Sequence, residues 1–435
     1  MGALSRRRGC LLRTAAARVA VLVLPVGLAS ALTAAEEARS EPPVSIQVFR
    51  EHFDGEVGFL AELQGGYSRA SGRKVELYQA EWRESERKIK DWTGDLNRYA
   101  PDMMVVQDAQ LPQVLGHAAS LEGRFPPAFL KELHAGALAQ GRVQGVQVAL
   151  PWRAHPLALY YNADRLAEKD LAPPTSPDEL LAAAGKLSAP PDLYGLGLPG
   201  QPGGGAAGWA LALFRAYGGV LFDSRGRLAL ESDAGLRTLE LFSALTAARC
   251  TQPEVLTWGA DELAAAFLAG RVAMVIDGPW LLRAATLHPP AFRMGVAPAP
   301  RTPDGMEHLT ADCVFIFDTA RDIDGCVSFL QYALGGERQG ALASLGIPSV
   351  RRDAGAALPT GEGWEVYVRA LREGRGPSAA TWAQVAPLLE RLLYVTVSGR
   401  ATPQEALDSI DVDLVDDPEP ERDARPGRPS RPVED

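Results

Sequence analysis

The chain's hydrophobic positions follow two rhythms that take turns. Val44 to Phe49 alternates as a strand and ends in the polar loop Arg50-Glu51-His52. Phe59 to Ser71 then reads as a helix, Lys74 to Tyr78 as a strand, Glu84 to Leu96 as a charged helix and Met103 to Val106 as an apolar strand. Strand alternating with helix at this spacing predicts parallel βαβ units and an α/β fold. Leu150-Pro151 opens an extended run that closes on Leu159-Tyr160-Tyr161-Asn162, and helices are predicted over residues 177–187, 209–217 and 233–248. The most informative stretch is Leu263 to Trp280. Asp261 and Glu262 place negative charge where a helix begins, and Gly270 supplies a left-handed stop. Val272 to Ile276 are apolar on both faces, as in a strand covered by helices on two sides. Pro279 suits the first position of a new helix, so Trp280 is delivered to the carboxyl end of a strand, where α/β sheets bind ligands. A strand over Cys313 to Phe317 follows, then helices over residues 323–334, 382–393 and 403–410.

The ends of the chain lie outside this pattern. Arg6, Arg7, Arg8, Arg13 and Arg18 precede an apolar segment, Val19 to Ala34, and small residues suited to signal-peptidase cleavage follow. Residues 1–35 therefore read as an export signal, and roughly 16 apolar residues fall short of the ~20 needed to span a membrane. Ser5-Arg6-Arg7-Arg8-Gly9-Cys10 also resembles a twin-arginine signal. Removing that segment takes five arginines and lowers the net charge from −10 to −15, which argues against nucleic acid as a partner. Residues 416–435 are rich in Pro, Arg, Asp and Glu and are expected to be disordered. The remaining cysteines, Cys250, Cys313 and Cys326, lack metal-ligand spacing; isolated buried thiols are expected, with a Cys313–Cys326 disulfide as the alternative. A chain of this length exceeds what one hydrophobic core usually serves, so two lobes are expected.

Catalytic signatures are missing from the sequence. It contains no Gly-x-x-x-x-Gly-Lys-Ser/Thr, no His-Glu-x-x-His and no Gly-x-Ser-x-Gly. The glycine-rich segment from Gly200 to Gly208 lacks the lysine and the preceding strand of a phosphate loop. With export and a two-lobed α/β pattern, this favours binding over catalysis, with no cofactor and no metal. A carboxylate pair for sugar hydrolysis stays open, since an acidic chain offers many candidates.

Four blocks in order resemble the extracytoplasmic solute-binding family that includes the maltose-binding protein, the receptors of ABC sugar importers. They are Pro101-Asp102-Met103-Met104-Val105-Val106; Pro151 through Leu159-Tyr160-Tyr161-Asn162-Ala163-Asp164 with Pro173-Pro174-Thr175; Ala266 through Gly278-Pro279-Trp280; and Trp382 with Ser398-Gly399-Arg400-Ala401-Thr402-Pro403. The resemblance implies a two-lobed periplasmic-binding-protein fold with hinge crossings and an interlobe ligand cleft. It assigns residues 44–152 and 311–348 to lobe 1, and 153–310 and 349–415 to lobe 2. It further implies a monomeric, periplasmic receptor that closes on a sugar or oligosaccharide and delivers it to ABC permease subunits in the membrane. A polyol or glycerol phosphate as solute, a sensory role and a secreted glycoside hydrolase are the alternatives.

The resemblance also nominates residues. Trp280 matches the tryptophan that stacks on a sugar ring, and Trp382 matches a second stacking aromatic. Asp108 and Gln110 fall where the family places hydroxyl-binding polar groups, with helix capping as the structural alternative for Asp108. His155 stands at a hinge position where relatives carry an acid; imidazole offers one donor and one acceptor instead of two acceptor oxygens. Arg153 beside it could bind hydroxyls or a carboxylate. Glu51, in the loop after the first strand, Trp152, beside the crossing, and Trp209 complete the candidate set, with Trp82 as a further platform.

Overall fold

The structure, a computed structural model, describes residues 42–50, 55–203, 205–223, 227–354, 365–376 and 382–410. The expected export signal and C-terminal tail lie outside the described residues, as does Glu51. Among the described residues, no helix is long and apolar enough to cross a membrane.

Two sheets organise the fold. The first has five strands in the order β2-β1-β3-β10-β6: β1 (Val44–Arg50), β2 (Val75–Glu81), β3 (Met103–Gln107), β6 (Ala149–Pro156) and β10 (Leu309–Ile316). A short hairpin, β4 (Arg142–Val143) and β5 (Val146–Gln147), precedes β6. β1 runs parallel to β2 and β3, as the βαβ spacing predicts. β10 is inserted antiparallel between β3 and β6. Both faces of this sheet are covered. Ile46, Val105, Val314 and Phe329 belong to one core, and Phe49, Met104, Cys313 and Phe315 to the other. That double burial explains why β3 and the Cys313–Ile316 part of β10 read as continuous apolar runs, whereas β1 alternates and the edge strand β2 is largely polar.

The second sheet has three antiparallel strands, β8 (Met274–Asp277), β7 (Ala158–Asn162) and β9 (Met294–Pro298), with β7 in the middle. Residues 194–197 lie along the open side of β8, with Tyr194 N–H donating to Arg271 O at 3.0 Å and Gly197 N–H to Met274 O at 3.0 Å. Leu159 and Met274 face one core, Tyr160 and Val275 the other. The helix Ala260–Leu268 ends as its sequence directs, with Gly270 at φ 74°. Pro279 opens the helix Pro279–Leu287.

The chain passes between the sheets at Leu157, which separates β6 from β7, and again between Pro298 and Leu309. The extended run from Leu150 to Asn162 is thus two strands serving two sheets. β6 and β10 run straight through positions 152/153 and 310/311, where the resemblance divides the lobes. Cys250, Cys313 and Cys326 are buried free thiols, so the Cys313–Cys326 disulfide is not formed.

Candidate functional site

The parallel strands of the first sheet end along one edge, and that edge forms a wall. Arg50 closes β1, Glu81 closes β2, and Gln107 closes β3. β10 enters the same edge from the opposite direction and brings Thr310 and Asp312, while His155 comes from the end of β6. Facing them are Trp280 and Arg283 from the helix Pro279–Leu287, and Ala260 and Asp261 at the start of the helix Ala260–Leu268. Together with Trp82 and Arg83 these residues enclose an open cleft of about 900 Å³.

Charges in the first wall are largely matched. Arg50 pairs with Glu81 across β1 and β2. The Asp312 carboxylate accepts from Arg153 Nε at 3.2 Å, and His155 Nε2 lies 3.2 Å from the same oxygen. A register shift between Asp312 and Cys313 lets the Asp312 side chain reach both. Trp82 stacks on Phe49 with ring centroids 4.8 Å apart, and Trp280 approaches the His155 ring at 6.0 Å. Flat indoles beside a fringe of hydrogen-bonding groups can recognise a ring with apolar faces and equatorial hydroxyls.

Trp280 is half-buried and sits two residues past Gly278 at the exit of β8. Asp277, buried behind it, accepts the Gly278 N–H at 2.8 Å. Burial pushes the Asp277 carboxyl up to about 7, opposed by the Gly278 amide and the Trp280 indole.

Of the residues nominated from sequence, Trp280, His155 and Trp82 line the cleft. Arg153 is buried beneath its floor, bound to Asp312, to Phe49 O at 3.1 Å and to Glu56 at 3.5 Å. Its guanidinium ties β6 to β1 and β10. Asp108 is also buried: Oδ1 accepts from Ala109 N–H at 2.7 Å and Oδ2 from Ala311 N–H at 3.0 Å. Gln110 caps a short helical segment by accepting the Gln107 N–H at 3.1 Å, and donates to Ser85 Oγ at 3.0 Å. Trp152 packs inside the first lobe. Trp209 is buried in the second core and donates its indole N–H to Ile276 O at 3.0 Å. Trp382 begins the helix Trp382–Val397 and packs on that same core, outside the cleft lining. Glu81, Arg83, Gln107, Thr310 and Arg283 line the cleft without having been singled out from sequence. Glu81, Arg83 and Gln107 share a position at a strand exit and Arg283 stands one turn into a helix after one, whereas Thr310 stands at the entry of β10. Among the described residues, no group of three His, Cys, Asp or Glu side chains is placed to hold a metal ion.

The sequence profile of the bacterial extracellular solute-binding protein family matches residues 62–339. The chain belongs to that family. Members are extracytoplasmic binding proteins, which agrees with a cleft between two lobes. Among its relatives, a binding protein of Brucella abortus is 27% identical over 211 residues, spanning 48% of this chain and 51% of that protein. The chain thus matches about half the length of that relative. An ABC transporter-binding protein of Deinococcus radiodurans is 24% identical over 372 residues, spanning 80% of this chain and 87% of its own. Among solved structures, the sugar-binding protein MalE from Xanthomonas citri superposes with a TM-score of 0.75 at 18% identity, covering 86% of this chain and 96% of that one. This solute-binding protein therefore has the two-lobed fold of periplasmic binding proteins.

Proposed function

We propose that this solute-binding protein captures a sugar or oligosaccharide between its lobes and delivers it to an ABC-type membrane importer, acting as a receptor and not as a catalyst. The observation that carries this reading is the cleft of about 900 Å³ that presents Trp280 beside a fringe of Arg50, Glu81, Gln107, His155 and Thr310. The volume suits a ligand of more than one ring, and the indole offers the apolar face such rings stack on. Residues 1–35 would direct export and be removed, leaving a monomer outside the cytoplasm. In this reading Trp280 and His155 contact ligand, whereas Arg153, Asp108, Gln110, Trp152, Trp209 and Trp382 support the walls.

Binding one solute in both lobes favours the closed arrangement by the contacts that only closure completes. A thermal-shift screen of maltose, maltotriose, other neutral oligosaccharides, ribitol and glycerol 3-phosphate tests the proposal. An oligosaccharide should raise the melting temperature, and small-angle scattering should record a smaller radius of gyration on its addition. A response confined to the polyol or the phosphate would replace the sugar reading. Turnover of an oligosaccharide to shorter products would refute the receptor role.

A further inference from the structure

Behind Trp280 lies a buried polar unit that neither the ligand fringe nor the core requires. Gly278 is the point at which it converges. A methyl group built on Gly278 would overlap the six-membered ring of Trp280, so that ring rests on the glycine backbone. One indole face is therefore occupied, and the ring's height above the cleft is set by where the Gly278 peptide lies.

Both polar groups around that residue are held. Asp277 Oδ1 accepts the Gly278 N–H at 2.8 Å. Tyr160 donates its hydroxyl to the Gly278 carbonyl at 2.7 Å. The Tyr160 and Tyr367 hydroxyls are also hydrogen-bonded to each other. Tyr160 has a single hydrogen, which goes to Gly278, so Tyr367 is the donor in that pair. Burial raises the pKa of both tyrosines above the ordinary value, which keeps them as donors.

Tyr367 belongs to the helix Glu365–Glu373, which touches both lobes. Tyr367 packs in the second-lobe core with Tyr160 and Val275, whereas Leu371, one turn on, packs in the first-lobe core with Leu133 and Val350. The same helix is fastened to the second crossing. Arg369 pairs with Glu307, Arg375 N–H donates to Glu307 O at 3.0 Å, and Leu309 N–H donates to Arg375 O at 3.1 Å.

We propose that Asp277, Tyr160 and Tyr367 are positioning residues for Trp280, gripping the Gly278 peptide on which its ring rests, and that the helix Glu365–Glu373 transmits the setting of the interlobe crossing to that ring. The stacking surface is then not a passive wall. Its orientation follows the arrangement of the lobes, so closure and ring presentation are one event. The inference rests on Trp280 being the platform of the proposed receptor, but its test needs no ligand and is decided separately from the solute screen.

The full chain is labelled with 5-fluorotryptophan, and the Trp280 fluorine signal is assigned by its loss in Trp280→Phe. Tyr160→Phe and Tyr367→Phe each remove one oxygen and should shift or broaden the Trp280 signal while leaving those of the other tryptophans in place. Asp277→Ala should do the same, and Asp277→Asn, which keeps an acceptor for the Gly278 N–H but turns an amide donor toward the indole, should move the signal less than alanine does. Glu307→Gln, at the crossing, should move the same signal. An unmoved Trp280 signal in both tyrosine variants overturns the positioning role, as does a general displacement of all the signals. An unmoved signal in Glu307→Gln overturns the link to the crossing.

Discussion

Replacing Asp108 with asparagine should change how stability depends on pH more than it changes stability itself. The Asp108 carboxyl is buried at the end of β3, and burial pushes its pKa up to about 7 from 3.8. The Ala311 and Ala109 amides and His155 oppose that rise, while Asp312 adds to it. An acid with a raised folded-state pKa keeps its proton in the folded protein at pH values where the unfolded chain has lost it. Stability then falls as pH rises from about 4 to about 7, and levels off above. A pKa displaced by about 3 corresponds to roughly 4 kcal/mol over that window. Asp277 contributes with the same sign. His308 and His134 contribute with the opposite one, because burial lowers their pKa values to about 3 and about 4 from 6.5. Their stabilisation is present above the unfolded histidine pKa and is lost as pH falls toward the folded values. These rising contributions offset part of the fall between about pH 4 and 6.5, while Glu307, whose pKa burial also raises, adds to it. Asp108→Asn removes one falling contribution. The difference between variant and wild type should therefore climb by roughly 4 kcal/mol from about pH 4 to about pH 7.5. Urea denaturation at fixed ionic strength across that range measures it. A hydrogen bond that asparagine makes badly would move the whole curve without tilting it. A difference profile flat to within about 1 kcal/mol would refute the buried-acid account, since even a pKa raised only from 3.8 to about 5 would tilt it by more than that.

Two further outcomes follow from the same geometry. Trp280→Ala should weaken binding of an oligosaccharide identified in the solute screen by about 2 kcal/mol, roughly 30-fold, without lowering the denaturation midpoint appreciably; titration calorimetry giving equal affinity would remove Trp280 from the site. Arg153→Met leaves Asp312 and Glu56 buried without their guanidinium and should destabilise the fold by about 3–5 kcal/mol, and an unchanged urea midpoint would contradict the account of Arg153 as a structural tie.

What could be read from sequence was whatever is specified locally. The segment from Leu263 to Trp280 announces its elements through signals a few residues apart: charge at a helix start, a left-handed glycine at its stop, and a proline at the next start. The break at Leu157 is marked only by Pro156, a weak signal, because the extended pattern resumes at once and only the partner sheet changes. β9 escaped notice because Met294–Val296 are only partly buried and prolines follow closely. The helix Glu365–Glu373 was also unseen, although it joins the two lobes. Asp108 illustrates the corresponding problem for function. A carboxylate in a loop after a strand looks the same whether it meets a hydroxyl or a backbone amide, and here the deciding Ala311 N–H arrives from a distant part of the chain. Positions at strand exits, by contrast, were partly readable: Arg50 and Trp82 stood where β1 and β2 end, and both reach the cleft.

The insertion of β10 between β3 and β6 sets an order of events during synthesis. β7, β8 and β9 are complete as a sheet once Pro298 has emerged, whereas the first sheet lacks its fourth member until Leu309–Ile316 follows. Until then β3 and β6 each present an unsatisfied edge, a template for mispairing with a neighbouring chain. A nascent molecule cut short before residue 309 would carry one finished sheet and one open one. Truncation there should produce aggregation rather than a smaller soluble receptor.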